Sequence, residues 1–290
     1  IRDVAPSRGL GDVYKRQVLD THIPKRVSYK QKRHCERGMR MQLQTPMKTI
    51  ENLQRCIKDS NHIVAILGIE MLVESGGRNF DSNEESYRME EEYGACPEEL
   101  LSGSFYCAKK ERFYKFYKKE MLGMKIGATA GYEALYKLQQ QGKLHTVINQ
   151  NYHPIPEPYH FARVIELNGN IQHYHCTKCH KTYDASYILQ SQGIPQCSVC
   201  NGSIRPDIRL IGERINNSML TLALEACDQA DVVMILGQNI FGDRLQSNSS
   251  DIERRHQTKI LFSQEKYLPE ERADFIIHDE IQQIMPLLIQ

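Results

Sequence analysis

A chain of 290 residues with 40% hydrophobic content can bury one large core, or one core with a small satellite. It has no apolar run near the about eighteen residues of a membrane span and no apolar segment of a secretory type at its start, so no membrane partner is expected. The formal charge of +1 hides an asymmetry, because residues 1–46 hold 11 Lys and Arg against 4 Asp and Glu, or +7, and residues 47–290 hold 26 against 32, or −6.

A basic arm can bind nucleic acid, but residues 1–46 show neither periodicity nor interleaved aromatics. They read as a disordered or non-native leader, so no nucleic-acid partner is expected. From Met47 to Ser60 the residues Ile50, Leu53 and Ile57 recur at helical spacing, which predicts an amphipathic helix. Asn61 to Gly68 is a short apolar run closed by glycine, the pattern of a strand buried on both faces of a parallel sheet. A phosphate there needs small residues with free backbone N–H groups, and in the turn that follows only Gly68, Ser75, Gly76 and Gly77 qualify. Taken alone, an ordinary connection fits that turn as well.

Residues 82–124 read as a helical insertion: an acidic stretch from Ser82 to Tyr93, a helix start at Pro97, and a stripe of Phe113, Phe116, Tyr117 and Glu120 that reads as core rather than ligand box. Ala128 to Gln141 predicts another helix, with Ala134, Leu135 and Leu138 on one side, and Leu144 to Asn151 another buried strand. Repeated strand and helix imply a doubly wound parallel α/β sheet of Rossmann type, whose ligand lies beyond the carboxyl ends of the strands, where Gln150 and Asn151 fall. Arg163 to Gly169 predicts a third strand and Ile208 to Ile211 a further one. Ser218 to Gln229 reads as an apolar helix, 230–237 and 258–262 as buried strands, 273–277 as a short strand and 280–288 as a closing helix.

Between these elements stand Cys176-x-x-Cys179, seventeen residues, and Cys197-x-x-Cys200. Each pair can form a knuckle that gives two sulfurs to one tetrahedral ion, so the spacing predicts a zinc ribbon inserted at 170–206. The alternatives are two disulfides or four unrelated thiols. Four thiolate ligands close the site, which makes the zinc structural. The other five of the nine cysteines are odd in number and scattered, which favours a reducing cytoplasm.

These pieces resemble the sirtuins, NAD-dependent protein-lysine deacylases. The resemblance rests on the Gly68 turn with Glu74-Ser75-Gly76, the Gln150-Asn151 pair, Val164-Ile165-Glu166-Leu167-x-Gly169 leading into the four cysteines, Ile204-Arg205-Pro206-Asp207 through Gly212-Glu213, and Ala230-Asp231 through Gly237, in the family's order from Met47 to Leu288 within a domain of residues 47–290. It implies NAD and zinc as cofactors and an acyl-lysine protein as substrate. Nicotinamide would leave as the acyl oxygen attacks the ribose, and a general-base histidine would then help move the acyl group onto ADP-ribose.

The family's histidine is Asn168 here, whose amide can donate and accept hydrogen bonds but cannot take a proton near neutral pH. Losing a general base costs roughly 10²–10⁴ in rate. By the same resemblance Gly68, Glu74, Ser75, Gly76, Arg78, Gln150, Asn151, His153, Gly237, Gln238, Asn239 and Ser263 would meet NAD, with Gln150, Asn151 and Asn168 at the reaction centre. Arg209, Ile211, Gly212 and Glu213 would meet the acyl-lysine.

Several of these positions depart from the family pattern. Ile69-Glu70 stands in the glycine turn, His153 in place of a nicotinamide-contacting Asp, Gln238-Asn239 in place of Thr-Ser, and Ser263 in place of Asn. Arg209, where the family has Val, could pair with an acidic acyl group, although a lone Arg is more often solvated at a strand edge. His153, beside Pro154 and Pro156, reads as a solvated loop residue or a displaced base. The resemblance implies weak or altered deacylation. Mono-ADP-ribosyl transfer, or binding of NAD or ADP-ribose without catalysis, are its rivals.

Overall fold

The computed structural model describes residues 45–237, 257–264 and 273–289. Residues 1–44 of the expected leader, and Gln238 and Asn239, lie outside them. Five consecutive apolar residues leave no polar face, so Ile63–Leu67 (β1) must be covered on both sides, and all five are buried. β1 pairs in parallel with Leu144–Asn149 (β2) on one edge and Val232–Leu236 (β7) on the other. Val164–Glu166 (β3) extends the sheet beyond β2, and Thr258–Phe262 (β8) and Phe275–Ile277 (β9) extend it beyond β7, all in parallel. The order β3-β2-β1-β7-β8-β9 is that of a doubly wound dinucleotide-binding sheet, and the winding reverses between β1 and β7.

Successive side chains of a strand point to opposite faces, and the sheet sorts them accordingly. Ile63, Ala65 and Leu67, with Met234, Leu236, Ile260 and Phe262, pack against the helices Met47–Asp59, Ala130–Gln140 and Ile281–Leu288. Val64, Ile66, Ile148 and Val233 face the helix Asn217–Gln229 through Ala223, Ala226 and Cys227. That helix starts where the Asn216 side chain accepts from the N–H groups of Ser218 (2.9 Å) and Met219 (3.4 Å). The first helix buries Ile50, Leu53 and Ile57, the spacing its sequence predicts.

A second lobe joins the two expected insertions. Its helical part runs through Asn83–Tyr93, Pro97–Leu100, Gly103–Ala108 and Lys110–Phe116, the last passing into a π-helical turn at Tyr117–Met121. Ser82 and Ser102 cap the first and third of these helices by accepting from Glu85 N and Phe105 N. Its other part is an antiparallel sheet in which Gly169–Cys176 (β4) lies between Thr182–Asp184 (β5) and Ile204–Ile208 (β6). Tyr174, Ile188, Ile204 and Ile208 share one core with Phe113, Phe116 and Tyr117, so the aromatic stripe is core. The strand expected at 208–211 lies at 204–208 and belongs to this small sheet, because Ile204, Pro206 and Ile208 alternate inward. The chain then bends to bridge Ile211 with Ser102.

The fourth member of the stripe, Glu120, is only 1% exposed. It accepts from the Tyr93 hydroxyl and Arg88 Nη2, each at 2.8 Å, and pairs with Arg78. Burial alone would raise the Glu120 carboxyl, but Arg88, Tyr93 and Arg78 outweigh it and hold the group below its ordinary range. Its stabilising contribution is therefore complete at neutral pH and is lost as the pH falls through the depressed folded value. Glu120→Gln is expected to cost roughly 1–3 kcal/mol in urea unfolding, because the buried carboxylate loses its charge-assisted hydrogen bonds while both arginine partners stay more than a third exposed to water. A loss under about 1 kcal/mol would mean that the arginines are adequately solvated without it.

Candidate active site and metal centre

The carboxyl ends of β1, β2, β7 and β8 converge on one set of loops. Gly68 follows β1 and opens the short helix Ile69–Glu74. At the end of β7, Gly237 has φ +89, and a Cβ there would come within 2.7 Å of the Glu70 Cβ, so glycine is required for the two loops to meet. Ser263, after β8, is fully buried and donates its hydroxyl to Glu70 Oε1 at 3.1 Å. Glu70 thus lies across the ends of β7 and β8, a role that its place in the sequence does not suggest.

The N–H groups that the sequence offers to a phosphate are used elsewhere. Gly68 N–H donates to Leu236 O, Ser75 N–H and Gly77 N–H to Leu72 O, and Gly76 N–H to Val73 O, all at 2.9–3.1 Å. Gly68 continues the sheet ladder to β7, and the rest of the turn folds into a helix whose last residues close on themselves. The Ser75 hydroxyl donates to Met71 O at 2.6 Å. The Glu74 carboxylate accepts from Ile281 N–H (2.7 Å) and Gln282 N–H (2.9 Å), capping the closing helix. Arg78 is taken by Glu120. Glu74 thus caps a helix and Arg78 gives its Nη1 to Glu120, contacts with the fold that the sequence does not suggest.

The loop after β2 carries the more open chemistry. Gln150 N–H donates to Leu67 O (3.1 Å) and Asn151 Nδ2 to Gly68 O (2.9 Å), which fastens the loop to the β1 turn. Asn151 is 2% and His153 5% exposed, so His153 is buried rather than solvated. The Asn149 amide folds the loop inward by donating to His153 O at 2.8 Å. His153 Nε2 lies 2.9 Å from Met121 O, and a carbonyl can only accept, so the ring proton is on Nε2. Burial lowers the pKa of this imidazole and keeps it neutral. Its Nδ1 lone pair and the Asn151 Oδ1 are buried and lack a hydrogen-bond partner among the described residues. Two unmatched acceptors on one loop call for a ligand with N–H donors.

Asn168 sits where β3 hands over to β4 and is 2% exposed. Gly169 has φ +79, and a Cβ there would fall 2.0 Å from Asp207 O, so only glycine makes this turn. Asn168 Nδ2 donates to Gln150 O at 2.6 Å, and Arg209 Nε donates to Asn168 Oδ1 at 2.8 Å. A carbonyl cannot donate and a guanidinium cannot accept, so the amide's orientation is fixed. Arg209 is half-buried and turned to Asn168 rather than solvated at an edge. Ile211 N–H donates to Leu101 O at 2.9 Å, Gly212 is exposed with φ +87, and Glu213 takes Arg205 Nη2 at 2.6 Å and Leu210 N–H at 2.9 Å.

The four cysteines meet in the small sheet, their sulfurs all within 4.8 Å of one another. Cys176 and Cys200 lie 3.5 Å apart, as do Cys179 and Cys197, close to the roughly 3.8 Å edge of a zinc–thiolate tetrahedron. The two knuckles repeat one geometry. His180 (φ 60) and Asn201 (φ 55) each follow a Cys-x-x-Cys pair, and their N–H groups bond back to Cys176 O and Cys197 O at 3.0 Å. The Cys179 N–H lowers the Cys176 thiol, and the Tyr183 hydroxyl lowers Cys197 to about 6. Against the Gly202 N–H, desolvation and the neighbouring sulfurs push Cys200 up to about 12. Four thiolates cannot share this space without a cation, and the donor set fits zinc, with no ligand position left open.

The Sir2 family model matches residues 68–241, more than half of the chain. This chain belongs to the Sir2 family. The NAD-dependent protein deacetylase of Clostridium tetani is 30% identical over 246 residues, covering 84% of this chain and 98% of that protein. The enzyme of the same description from Clostridium perfringens is 29% identical over 240 residues, covering 83% and 98%. Among solved structures, a Sir2 complex with p53 peptide and NAD+ overlays with a TM-score of 0.70 at 23% identity, covering 83% of this chain and 96% of its own. A Sir2 bound to an acetylated peptide overlays with the same TM-score at 22% identity, covering 83% and 96%.

Sirtuins use NAD, and the buried loop of this Sir2 chain fits one end of it. A nicotinamide carboxamide offers N–H donors of the kind that Asn151 Oδ1 and His153 Nδ1 lack. Toward the phosphates the fit differs from the sequence reading. Gly68, Ser75 and Gly76 have spent their N–H groups, and Glu70 brings a carboxylate. Among the described residues no helix is long and apolar enough to cross a membrane.

Proposed function

We propose that this chain is an NAD-dependent protein deacylase-type transferase acting on acyl-lysine proteins, in which acyl transfer is slow relative to nicotinamide cleavage. The observation that carries this reading is the amide of Asn168, held between Gln150 O and Arg209 Nε. When bound, NAD supplies an electrophilic ribose carbon and nicotinamide as leaving group. Asn151 and His153 would bind the carboxamide with their unmatched acceptors, in a loop buried enough to exclude water. Asn168 keeps one amide N–H and one Oδ1 lone pair with which to orient a hydroxyl. It has no site that holds a proton near neutral pH, so the general-base contribution is missing. Gln150 contributes its backbone carbonyl, which fixes the Asn168 amide.

The test follows both products from NAD and an acetyl-lysine peptide with the full-length protein. In a single turnover with protein in excess over peptide, free nicotinamide is expected to appear at least about 10-fold faster than deacetylated peptide, since the missing base acts only on the later step, which resolves the ADP-ribosyl adduct. Equal rates would refute the slow-transfer reading. Label from NAD retained on protein without deacetylation would make the chain a mono-ADP-ribosyltransferase, a reaction that can use the acceptor's own nucleophile. Calorimetry showing no heat with NAD or ADP-ribose would remove every NAD-based reading.

A further inference from the structure

Arg209 is held more firmly than a side chain on a loop usually is. Its backbone N–H donates to Asn168 O at 2.8 Å, and its backbone O accepts from the Tyr152 hydroxyl at 2.8 Å. Its Nε donates to the buried Asn168 Oδ1. A guanidinium has two edges that can grip a carboxylate bidentately, one made by Nε with a terminal nitrogen and one by the two terminal nitrogens. Asn168 occupies Nε and so leaves the outer edge, and no described residue accepts from Nη1 or Nη2. The two carboxylates nearest in sequence are both engaged, Asp207 with His175 Nδ1 and Glu213 by both its oxygens with Arg205 and by Leu210 N–H. A half-buried, oriented guanidinium whose local acids are already spent is suited to an anion that comes from outside.

We infer that Arg209 determines acyl specificity, and that the acyl chain it selects ends in a carboxylate, as in malonyl-, succinyl- or glutaryl-lysine. This inference rests on the deacylase reading, which brings an acyl-lysine to the stretch 209–213. A carboxylate two to four carbons from the amide can meet the outer edge of Arg209 through two parallel N–H···O bonds, whereas an acetyl group offers nothing to that edge. Asn168 is then a positioning residue for Arg209, standing where the family has its base. Replacing it with an imidazole would exchange an acceptor whose orientation is locked for one that can protonate.

The experiment measures binding of two fluorescent peptides of identical sequence, one with acetyl-lysine and one with succinyl-lysine, to the full-length, zinc-loaded protein with ADP-ribose present. The succinyl peptide is expected to bind at least about 10-fold more tightly, a difference of about 1.4 kcal/mol, and this preference should shrink as salt is raised. Arg209→Met is expected to bring the ratio to within about 2-fold of one, and Arg209→Lys to leave an intermediate ratio, because the charge is kept and the fork is lost. Equal binding of the two peptides to the unaltered protein overturns the inference without any variant. A preference that survives Arg209→Met in a variant with unchanged melting overturns it as well. Binding of neither peptide sinks the acyl-lysine reading itself, and the inference with it.

Discussion

Stripping zinc from the protein with a chelator is expected to dissolve the whole second lobe and not only the knuckles. Zinc bound to four thiolates supplies roughly 10–16 kcal/mol in small isolated modules, more than a three-stranded sheet can replace. The sheet does not stand alone: Tyr174, Ile188 and Ile204 belong to the same core as Phe113, Phe116 and Tyr117 of the helical part. Loss of the metal leaves mutually repelling sulfurs at the end of β4, and unfolding there uncovers the aromatic stripe. Hydrogen exchange should therefore lose protection over 83–121 and 169–208 together. The strands Ile63–Leu67 and Val232–Leu236 should keep theirs, because separate cores cover both of their faces. A metal-free protein with an unchanged melting curve would refute the zinc site. Loss of protection confined to 169–208 would show that the helical part is stable by itself.

Asn168→His combined with Arg209→Val is expected to raise the rate of acyl transfer by roughly 10²–10⁴, the usual contribution of a general base, whereas Asn168→His alone should recover little of it. The reason is the 2.8 Å contact between Arg209 Nε and the residue 168 side chain. An imidazole placed there would accept from, or lie beside, a permanent cation, and that cation disfavours the protonated state a base must reach. Removing the guanidinium frees the ring and restores the apolar side chain that the family carries at this position. Single-turnover assays on an acetyl-lysine peptide would read acyl transfer apart from nicotinamide release. Full recovery by Asn168→His alone would mean that Arg209 moves aside during turnover. No gain from either variant would place the slow step elsewhere.

Much of the site is legible in the amino-acid sequence because the chemistry requires particular residues at particular spacings. Two Cys-x-x-Cys pairs have few uses besides one tetrahedral ion, and their sulfurs do converge. Five apolar residues without a polar face must lie inside a sheet, and β1 does. The substitution at 168 can likewise be read directly, since no environment turns an amide into a base near neutral pH. Sequence reasoning fails where the outcome depends on a distant partner. His153 reads as solvated beside its prolines, but Met121, 32 residues earlier, supplies a carbonyl to its ring. Nothing in the sequence around Arg78 points to Glu120, 42 residues later, which pairs with its Nη1. The Gly68 turn offers N–H groups in the sequence, but Gly68 gives its own to Leu236 of β7 and a six-residue helix takes those of Ser75, Gly76 and Gly77.

By itself the sequence determined the doubly wound sheet, the closed thiolate cluster and the absence of a protonatable side chain at position 168. All three follow from local pattern or from the chemistry of a single residue type. The tertiary structure alone decided that the two insertions form one lobe, that Glu74 caps a helix more than two hundred residues away, and that Asn168 and Arg209 are one hydrogen-bonded unit. These are pairings between side chains far apart in the chain. A polar group commits to whichever partner burial leaves within about 3 Å, and that choice is made only when the chain has closed on itself.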